Sequence, residues 1–173
     1  HNCSFYVPHI SSAAESDKSE GDGSVDFKRG QYFTASYNYY EGCHKTNLIG
    51  SSDSSLQYNL TYHHNVYMHV ESRGPLARNA NIHMYNNAFI GQTSYAMDAR
   101  ASSYIFSESN IFYMCKNPQI NNGGIVKSYN DSFASWLSSR GTLVKNKTDK
   151  VSNNCKYASG GIDYSSFDTD SKL

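Results

Sequence analysis

The sequence predicts an all-β fold, a parallel β-helix in which short strands stack coil upon coil. The first observation is composition, because fifteen Tyr and eight Phe accompany three Pro and one Trp. The second is that apolar segments are separated by clusters of Asn, Gly and Ser, which is typical of short strands and tight turns. The third is a short pattern that recurs at nearly regular intervals, and such repetition is typical of a solenoid.

The recurring pattern is an asparagine followed at once, or within three residues, by an aromatic residue. Its five copies are Asn2–Phe5, Asn38–Tyr40, Asn65–Tyr67, Asn87–Phe89 and Asn110–Phe112. The last three copies are almost evenly spaced, whereas the earlier gaps are wider. Asparagine tolerates the left-handed backbone of sharp bends, and coils stacked about 4.8 Å apart would align its amides into a ladder. Antiparallel hairpins with scattered asparagines are the alternative interpretation.

Strand-like segments precede most copies of the pattern. They are Tyr32–Tyr37, Leu60–Tyr62, Ile82–Tyr85 and Tyr104–Phe106. Helical periodicity first appears at Ser132–Leu137. A chain of 173 residues is long enough to bury one core. We therefore expect a single domain over 1–173, with coils over 1–130 and a helix and irregular tail over 131–173 that packs on the solenoid.

The charge pattern argues against two classes of partner. The fifteen basic and fifteen acidic residues give a formal net charge of zero, and no basic stripe is present, so a nucleic-acid partner is not expected. No apolar run approaches the length of a membrane span, so a membrane partner is not expected either.

The four cysteines show no C-x-x-C spacing, which argues against a structural zinc site. Their even number, together with glycosylation sequons at Asn2, Asn59, Asn130 and Asn146, favours a secreted, extracellular glycoprotein with disulfide bonds. Four cysteines allow three pairings. We favour Cys3–Cys43 and Cys115–Cys155, which join sequence neighbours.

Two arginines flank a proline in the segment Arg73–Arg78, where one apolar strand ends and the next begins. A guanidinium presents a rigid fork of donors that fits a carboxylate in bidentate fashion. The segment therefore suggests a site for an acidic sugar, although a solvated arginine pair on a turn is the simpler alternative.

Three blocks resemble the family 1 pectate lyases, which are right-handed single-stranded parallel β-helix enzymes that cleave polygalacturonate. The segments Asp22–Asp26, Tyr32–Tyr40 and His44–Ser54 resemble the calcium and lysine region of that family, Thr61–Asn65 with Arg73–Arg78 resembles its arginine region, and Asn81–Asn87 matches its next coil. The resemblance covers roughly residues 1–120 in the family's order.

The resemblance implies calcium-dependent β-elimination of polygalacturonate or pectin, with Arg73 as the catalytic base. It implies that Lys45 and Arg78 bind substrate carboxylates, and that Asp22 and Asp26 hold Ca²⁺. Arginine ordinarily keeps its proton to about pH 12, so a base role predicts an alkaline optimum.

The family supplies a further calcium-binding aspartate from a coil that would precede His1. We therefore expect either a longer protein or a homo-oligomer whose chains cover the open amino-terminal end of the helix. The alternatives to a lyase are an inactive β-helix that binds acidic polysaccharide and a polygalacturonase. The hydrolase is disfavoured, because no pair of acidic residues that could flank a glycosidic bond lies near Arg73 in the sequence.

Overall fold

The chain winds into a parallel β-helix, and the fold prediction is confirmed. The structure, a computed structural model, describes residues 1–7, 23–134, 136–137 and 143–144. The coils contribute strands in turn to three parallel sheets. No helix occurs among these described residues, and therefore no helix there could cross a membrane.

The strands are numbered along the chain. The first sheet contains β1 (Ser4–Tyr6), β4 (Tyr39–Glu41), β7 (Val66–Met68), β10 (Ala88–Ile90), β13 (Ile111–Tyr113) and β16 (Ser132–Ala134). The second contains β5 (Leu48–Ile49), β8 (Leu76–Arg78), β11 (Met97–Arg100) and β14 (Gln119–Asn122). The third contains β2 (Gly30–Gln31), β3 (Thr34–Ser36), β6 (Gln57–His63), β9 (Ala80–Tyr85), β12 (Tyr104–Glu108) and β15 (Ile125–Tyr129). An antiparallel pair, β17 (Trp136–Leu137) and β18 (Leu143–Val144), follows.

Buried asparagines form a ladder at the bend between the third and first sheets. The backbone N–H groups of Asn38, Asn65 and Asn87 each donate to the side-chain oxygen of the asparagine one coil further on, at 3.0, 3.0 and 2.9 Å. Asn110 continues the series by donating its N–H to a carboxylate oxygen of Asp131 at 2.7 Å. The predicted ladder is therefore present, and a carboxylate takes its last described position.

The first copy of the predicted pattern is shifted by one residue. Cys3, rather than Asn2, lies opposite Asn38, and its backbone N–H donates to the Asn38 side-chain oxygen at 3.1 Å. Asn2 instead has a φ of 59° and donates its own N–H to the carbonyl of Ser36.

Aromatic rings form a second ladder two residues after the asparagines, inside the first sheet. Neighbouring rings stack with centroids 4.6 to 5.1 Å apart along the series Phe5, Tyr40, Tyr67, Phe89, Phe112 and Phe133. Aromatic pairs of this kind contribute about 0.5–1.5 kcal/mol beyond the area they bury. The two-residue offset follows from strand geometry, because residues i and i+2 point to the same face.

The prediction of a helix after the coils is wrong for its first residues. Ser132–Ala134 form a strand that pairs with β13, because the parallel ladder of the first sheet continues through these residues. The remainder of the predicted tail lies largely outside the described residues.

The predicted disulfide framework is not present in the described part of the chain. Cys3, Cys43 and Cys115 are free thiols. Cys3 is exposed at the start of a coil whereas Cys43 is buried in the core, where its sulfur contacts the Ser24 hydroxyl at 2.7 Å. Cys155 lies outside the described residues.

We predict that Asn87→Ala destabilises the fold by about 3–5 kcal/mol. It removes the acceptor of two Asn65 N–H groups and the donor to the Tyr62 carbonyl, and each orphaned buried group costs about 1–3 kcal/mol. Urea denaturation measures the change. The exposed neighbour Asn86, with a φ of 52°, is the control, because glycine tolerates that backbone and Asn86→Gly should change stability by less than about 0.5 kcal/mol. A loss below about 1 kcal/mol for Asn87→Ala would contradict the ladder's role.

Candidate active site

The segment before β8 turns sharply and is held from both neighbouring coils. Arg73 has a φ of 61°, in the left-handed region that few non-glycine residues occupy. Its carbonyl accepts the Asn47 N–H at 2.7 Å, and the Asn47 carbonyl accepts the Leu76 N–H at 3.1 Å. Gly74 donates its N–H to the Ala96 carbonyl at 2.7 Å on the following coil, and the Gly74–Pro75 peptide is cis. These contacts fix where the Arg73 side chain leaves the backbone.

Asn47 is the anchor of this turn, and sequence analysis missed it. The residue is fully buried. Its side-chain N–H donates to the Val25 carbonyl at 2.9 Å, and its side-chain oxygen accepts the Tyr67 hydroxyl at 3.1 Å. The sequence could have indicated a role for Asn47 only through its position close to Lys45. Its partner Arg73 belongs to the next coil of the chain.

Gly74 lets the turn pack closely on the aromatic ladder. A Cβ atom at this position would lie 3.0 Å from the Phe89 ring and 3.3 Å from both the Tyr67 ring and the Ala96 carbonyl oxygen. A larger residue would require these neighbours or the turn that carries Arg73 to shift by a few tenths of an ångström.

Lys45 lies one coil before Arg73. It forms a parallel bridge with Ser72, so the structure brings Lys45 close to the Arg73 turn. The side chain is more buried than a surface carboxylate binder would be, because the residue is 4% exposed. Beside it, His44 Nδ1 contacts a Glu71 carboxylate oxygen at 2.8 Å and ties the same two coils together.

Arg78 and Arg100 are neighbours on the outer face of the second sheet. The register pairs Arg78 with Arg100, and pairs Ala77 with Ala99. Both alanines are in the core, so the adjacent arginines point outward. Arg78 Nε contacts an Asp53 carboxylate oxygen at 3.2 Å, and Arg100 Nε lies 3.9 Å from a carboxylate oxygen of Asp98.

Asp98 lies among the arginines of this face. Its residue is 5% exposed. Burial raises the pKa of its carboxyl group, and the positive charges of Arg100, Arg78 and Arg73 partly offset that rise. Tyr95 lies against Arg73 in the same region, where burial raises the pKa of its hydroxyl and the guanidinium partly offsets the effect. Sequence analysis missed Asp98, Arg100 and Tyr95, because each joins the site through register.

Asp26 lies at the other end of this face. The Leu48 N–H donates to its Oδ1 at 2.8 Å, and the Phe27–Ile49 bridge that follows extends the second sheet by one coil. Asp22 lies outside the described residues. Within the described ranges, no group of three or more His, Cys, Asp or Glu side chains converges as a metal site. Asp26 therefore offers a hard oxygen ligand that would need Asp22, or substrate oxygens, to complete a calcium site.

Basic residues thus come from three successive coils, within the strands of the second sheet or in the segments just before them. Lys45 comes from the coil of β5, Arg73 and Arg78 from that of β8, and Arg100 from that of β11. Since coils stack about 4.8 Å apart, this arrangement suits a linear polymer that carries one carboxylate on each unit.

Comparisons with known proteins show which family the chain belongs to. The sequence profile of a family described as pectate lyase matches residues 1–166. This chain belongs to the pectate lyase family. The resemblance of its sequence to that family is therefore confirmed.

Curated members of the pectate lyase family match over much of the chain. Pectate lyase B of Dickeya chrysanthemi is 31% identical over 172 residues, which is 98% of this chain and 44% of that protein. Pectate lyase 2 of Pectobacterium atrosepticum is 37% identical over 139 residues, covering 79% of this chain and 34% of that protein. The chain thus spans less than half the length of these relatives.

Solved pectate lyase structures share the fold. Bsp165PelA from Bacillus sp. N165, in complex with trigalacturonate, superposes with a TM-score of 0.63 at 28% identity, over 76% of this chain and 47% of that one. Pectate lyase II from Xanthomonas campestris superposes with a TM-score of 0.58 at 29% identity, over 86% of this chain and 46% of that one.

Proposed function

We propose that the protein is a pectate lyase that cleaves (1→4)-α-D-galacturonan by β-elimination and leaves unsaturated oligogalacturonides. The observation that carries the proposal is the cluster of Arg73, Arg78 and Arg100 around Asp98, within a chain of this family. Binding of trigalacturonate by the Bacillus neighbour supports the same class of substrate.

The reaction removes the proton on C5 of a galacturonate, which lies next to the carboxylate carbon. The electron pair of that C–H bond forms the C4–C5 double bond, the bond from C4 to the glycosidic oxygen breaks, and the departing oxygen takes up a proton. Negative charge spreads into the carboxylate as the proton leaves. Fixed positive charges around the carboxylate stabilise the transition state more than the ground state.

Three side chains have roles in this proposal. Arg73 accepts the C5 proton, and Arg78 and Lys45 bind uronate carboxylates. Support for Arg73 comes from its place beside Asp98 together with Arg78 and Arg100, and from the backbone contact with Asn47 that fixes its turn. Support for Arg78 comes from its outward position beside Arg100.

We also propose Ca²⁺ as the cofactor, held by Asp22 and Asp26. When Ca²⁺ is bound there, its positive charge would stabilise the negative charge that develops on the uronate carboxyl group. The Asp26 carboxylate supports this assignment, because it is exposed and uses one oxygen to accept a backbone N–H. Secretion, glycosylation and a homo-oligomer stay predictions from the sequence.

We expect Arg73→Lys to lower kcat by at least about 100-fold, although it keeps the positive charge, because a general base contributes about 10²–10⁴-fold. The measurement is near-ultraviolet absorbance of unsaturated product from polygalacturonate at alkaline pH with calcium. Arg29→Lys, at an exposed arginine outside the cluster, is the control and should retain wild-type rate.

Three outcomes of this assay would count against the proposal. A near-normal rate in Arg73→Lys would exclude Arg73 as the general base. New reducing ends without unsaturation would indicate a hydrolase. Binding of polygalacturonate by the wild-type protein without turnover would leave a carbohydrate-binding β-helix.

We expect Asp26→Asn to raise the calcium concentration for half-maximal activity by about tenfold or more, because an amide is a weaker ligand for a hard cation than a carboxylate. The amide oxygen can still accept the Leu48 N–H, so the local backbone should be preserved. Recovery of most of the rate at high calcium serves as the internal control. An unchanged calcium dependence would exclude Asp26 as a ligand.

A further inference from the structure

The contact between Asp53 and Arg78 has a specific geometry. The Asp53 carboxylate meets Arg78 at Nε, at 3.2 Å. A guanidinium has two edges that can hold a carboxylate, one formed by Nε with a terminal nitrogen and one formed by the two terminal nitrogens. An acceptor at Nε therefore leaves the terminal edge available for a second carboxylate.

The loop that carries Asp53 is built to hold this residue in place. Ser51 and Ser55 hydroxyls lie 3.2 Å apart, and the Ser55 N–H donates to the Ser52 carbonyl at 3.1 Å, so the loop closes on itself. The Asn79 side-chain N–H donates to the Asp53 carbonyl at 2.9 Å. Asn79, which follows Arg78 in the chain, thus fixes the backbone of Asp53, which contacts Arg78.

The start of the loop also packs closely on Arg78. Gly50 has a φ of 84°, and a Cβ atom there would lie 2.7 Å from the Arg78 carbonyl oxygen and 3.1 Å from its Cβ. A side chain at residue 50 would push the loop away from β8, so the glycine permits the approach that brings Asp53 to the guanidinium.

The adjacent coil shows a longer contact of a related kind, with an acid from the same strand. Arg100 is the register partner of Arg78, and its Nε also faces an aspartate, Asp98, at 3.9 Å. Two neighbouring arginines thus each have an acid on the Nε side.

We propose that Asp53 is a positioning residue for Arg78, holding the Nε edge so that the terminal nitrogens face a uronate carboxylate of the substrate. The inference rests on the proposed function, in which Arg78 binds that carboxylate. Asp53 does not itself contact substrate in this account.

Asp53 is also negative, and an anionic polymer would be repelled by it. The side chain is 75% exposed, so water and salt screen that repulsion. The contact of Asp53 with Arg78 Nε is direct, at 3.2 Å, and is therefore screened less than the repulsion of a more distant carboxylate. Loss of Asp53 should therefore weaken substrate binding. If Asp53 instead competes with the substrate for Arg78, its loss should strengthen substrate binding.

The test compares Asp53→Ala with Asp53→Asn, which keeps an oxygen acceptor for Nε. Asp53→Ala should raise KM for trigalacturonate about two- to fivefold, within the range measured for exposed ion pairs, with the loss falling on KM rather than on kcat. Asp53→Asn should recover most of the loss. Ser54→Ala is the control, because the Ser54 hydroxyl contacts Ser52 in the same exposed loop, and it should behave as wild type.

A double-mutant cycle with Arg78→Ala shows whether the effect passes through Arg78. In the Arg78→Ala background, Asp53→Ala should have no further effect on KM. An effect that persists there, or a lower KM in Asp53→Ala alone, would overturn the proposal.

A measurement without substrate separates this inference from the proposed function. The Arg78 Nε–H signal in a ¹H–¹⁵N spectrum, assigned with Arg78→Lys, should shift and exchange faster with water in Asp53→Ala but not in Ser54→Ala. An unchanged signal overturns the positioning role even if the protein makes no unsaturated product. A changed signal in a protein without lyase activity supports the contact while the proposed function fails.

Discussion

The fold depends on one constraint, the hydrogen-bonded register between successive coils. Each strand pairs with strands of the neighbouring coils and not with strands of its own coil. The register with the coils before and after it therefore sets which side chains point into the core and which point out. The asparagine ladder makes this register costly to change, because a slip by one residue would leave buried N–H groups without acceptors. The aromatic ladder, two residues later, adds stacking to the same alignment.

The candidate active site is a consequence of that register. Arg78 and Arg100 are separated by a full coil of the chain, yet they are opposite each other on adjacent strands. The turn at Arg73 is held in the same way, from Asn47 on one side and from Ala96 on the other. Hence a change in coil alignment far from the arginines would disperse the charges that the proposed chemistry requires.

The sequence allowed the fold class to be predicted, because the ladder residues recur with the length of a coil. It also allowed Arg73 and Arg78 to be proposed through family resemblance. Features that depend on contacts between neighbouring coils were missed or were predicted wrongly. Asn47 and Asp53 each bind a partner on the next coil, which no local pattern indicates. Ser132 begins a strand because the neighbouring coil pairs with it, which outweighs its local helical periodicity.

The central claim is that a uronate carboxylate lies on the outer face of the second sheet with its C5 proton directed at residue 73. A crystal structure of the Arg73→Lys variant with trigalacturonate tests this most directly. The account predicts a uronate carboxylate about 3 Å from the terminal nitrogens of Arg78, with C5 facing the side chain of residue 73. A sugar bound on another sheet, or a residue 73 side chain directed into solvent, would contradict it.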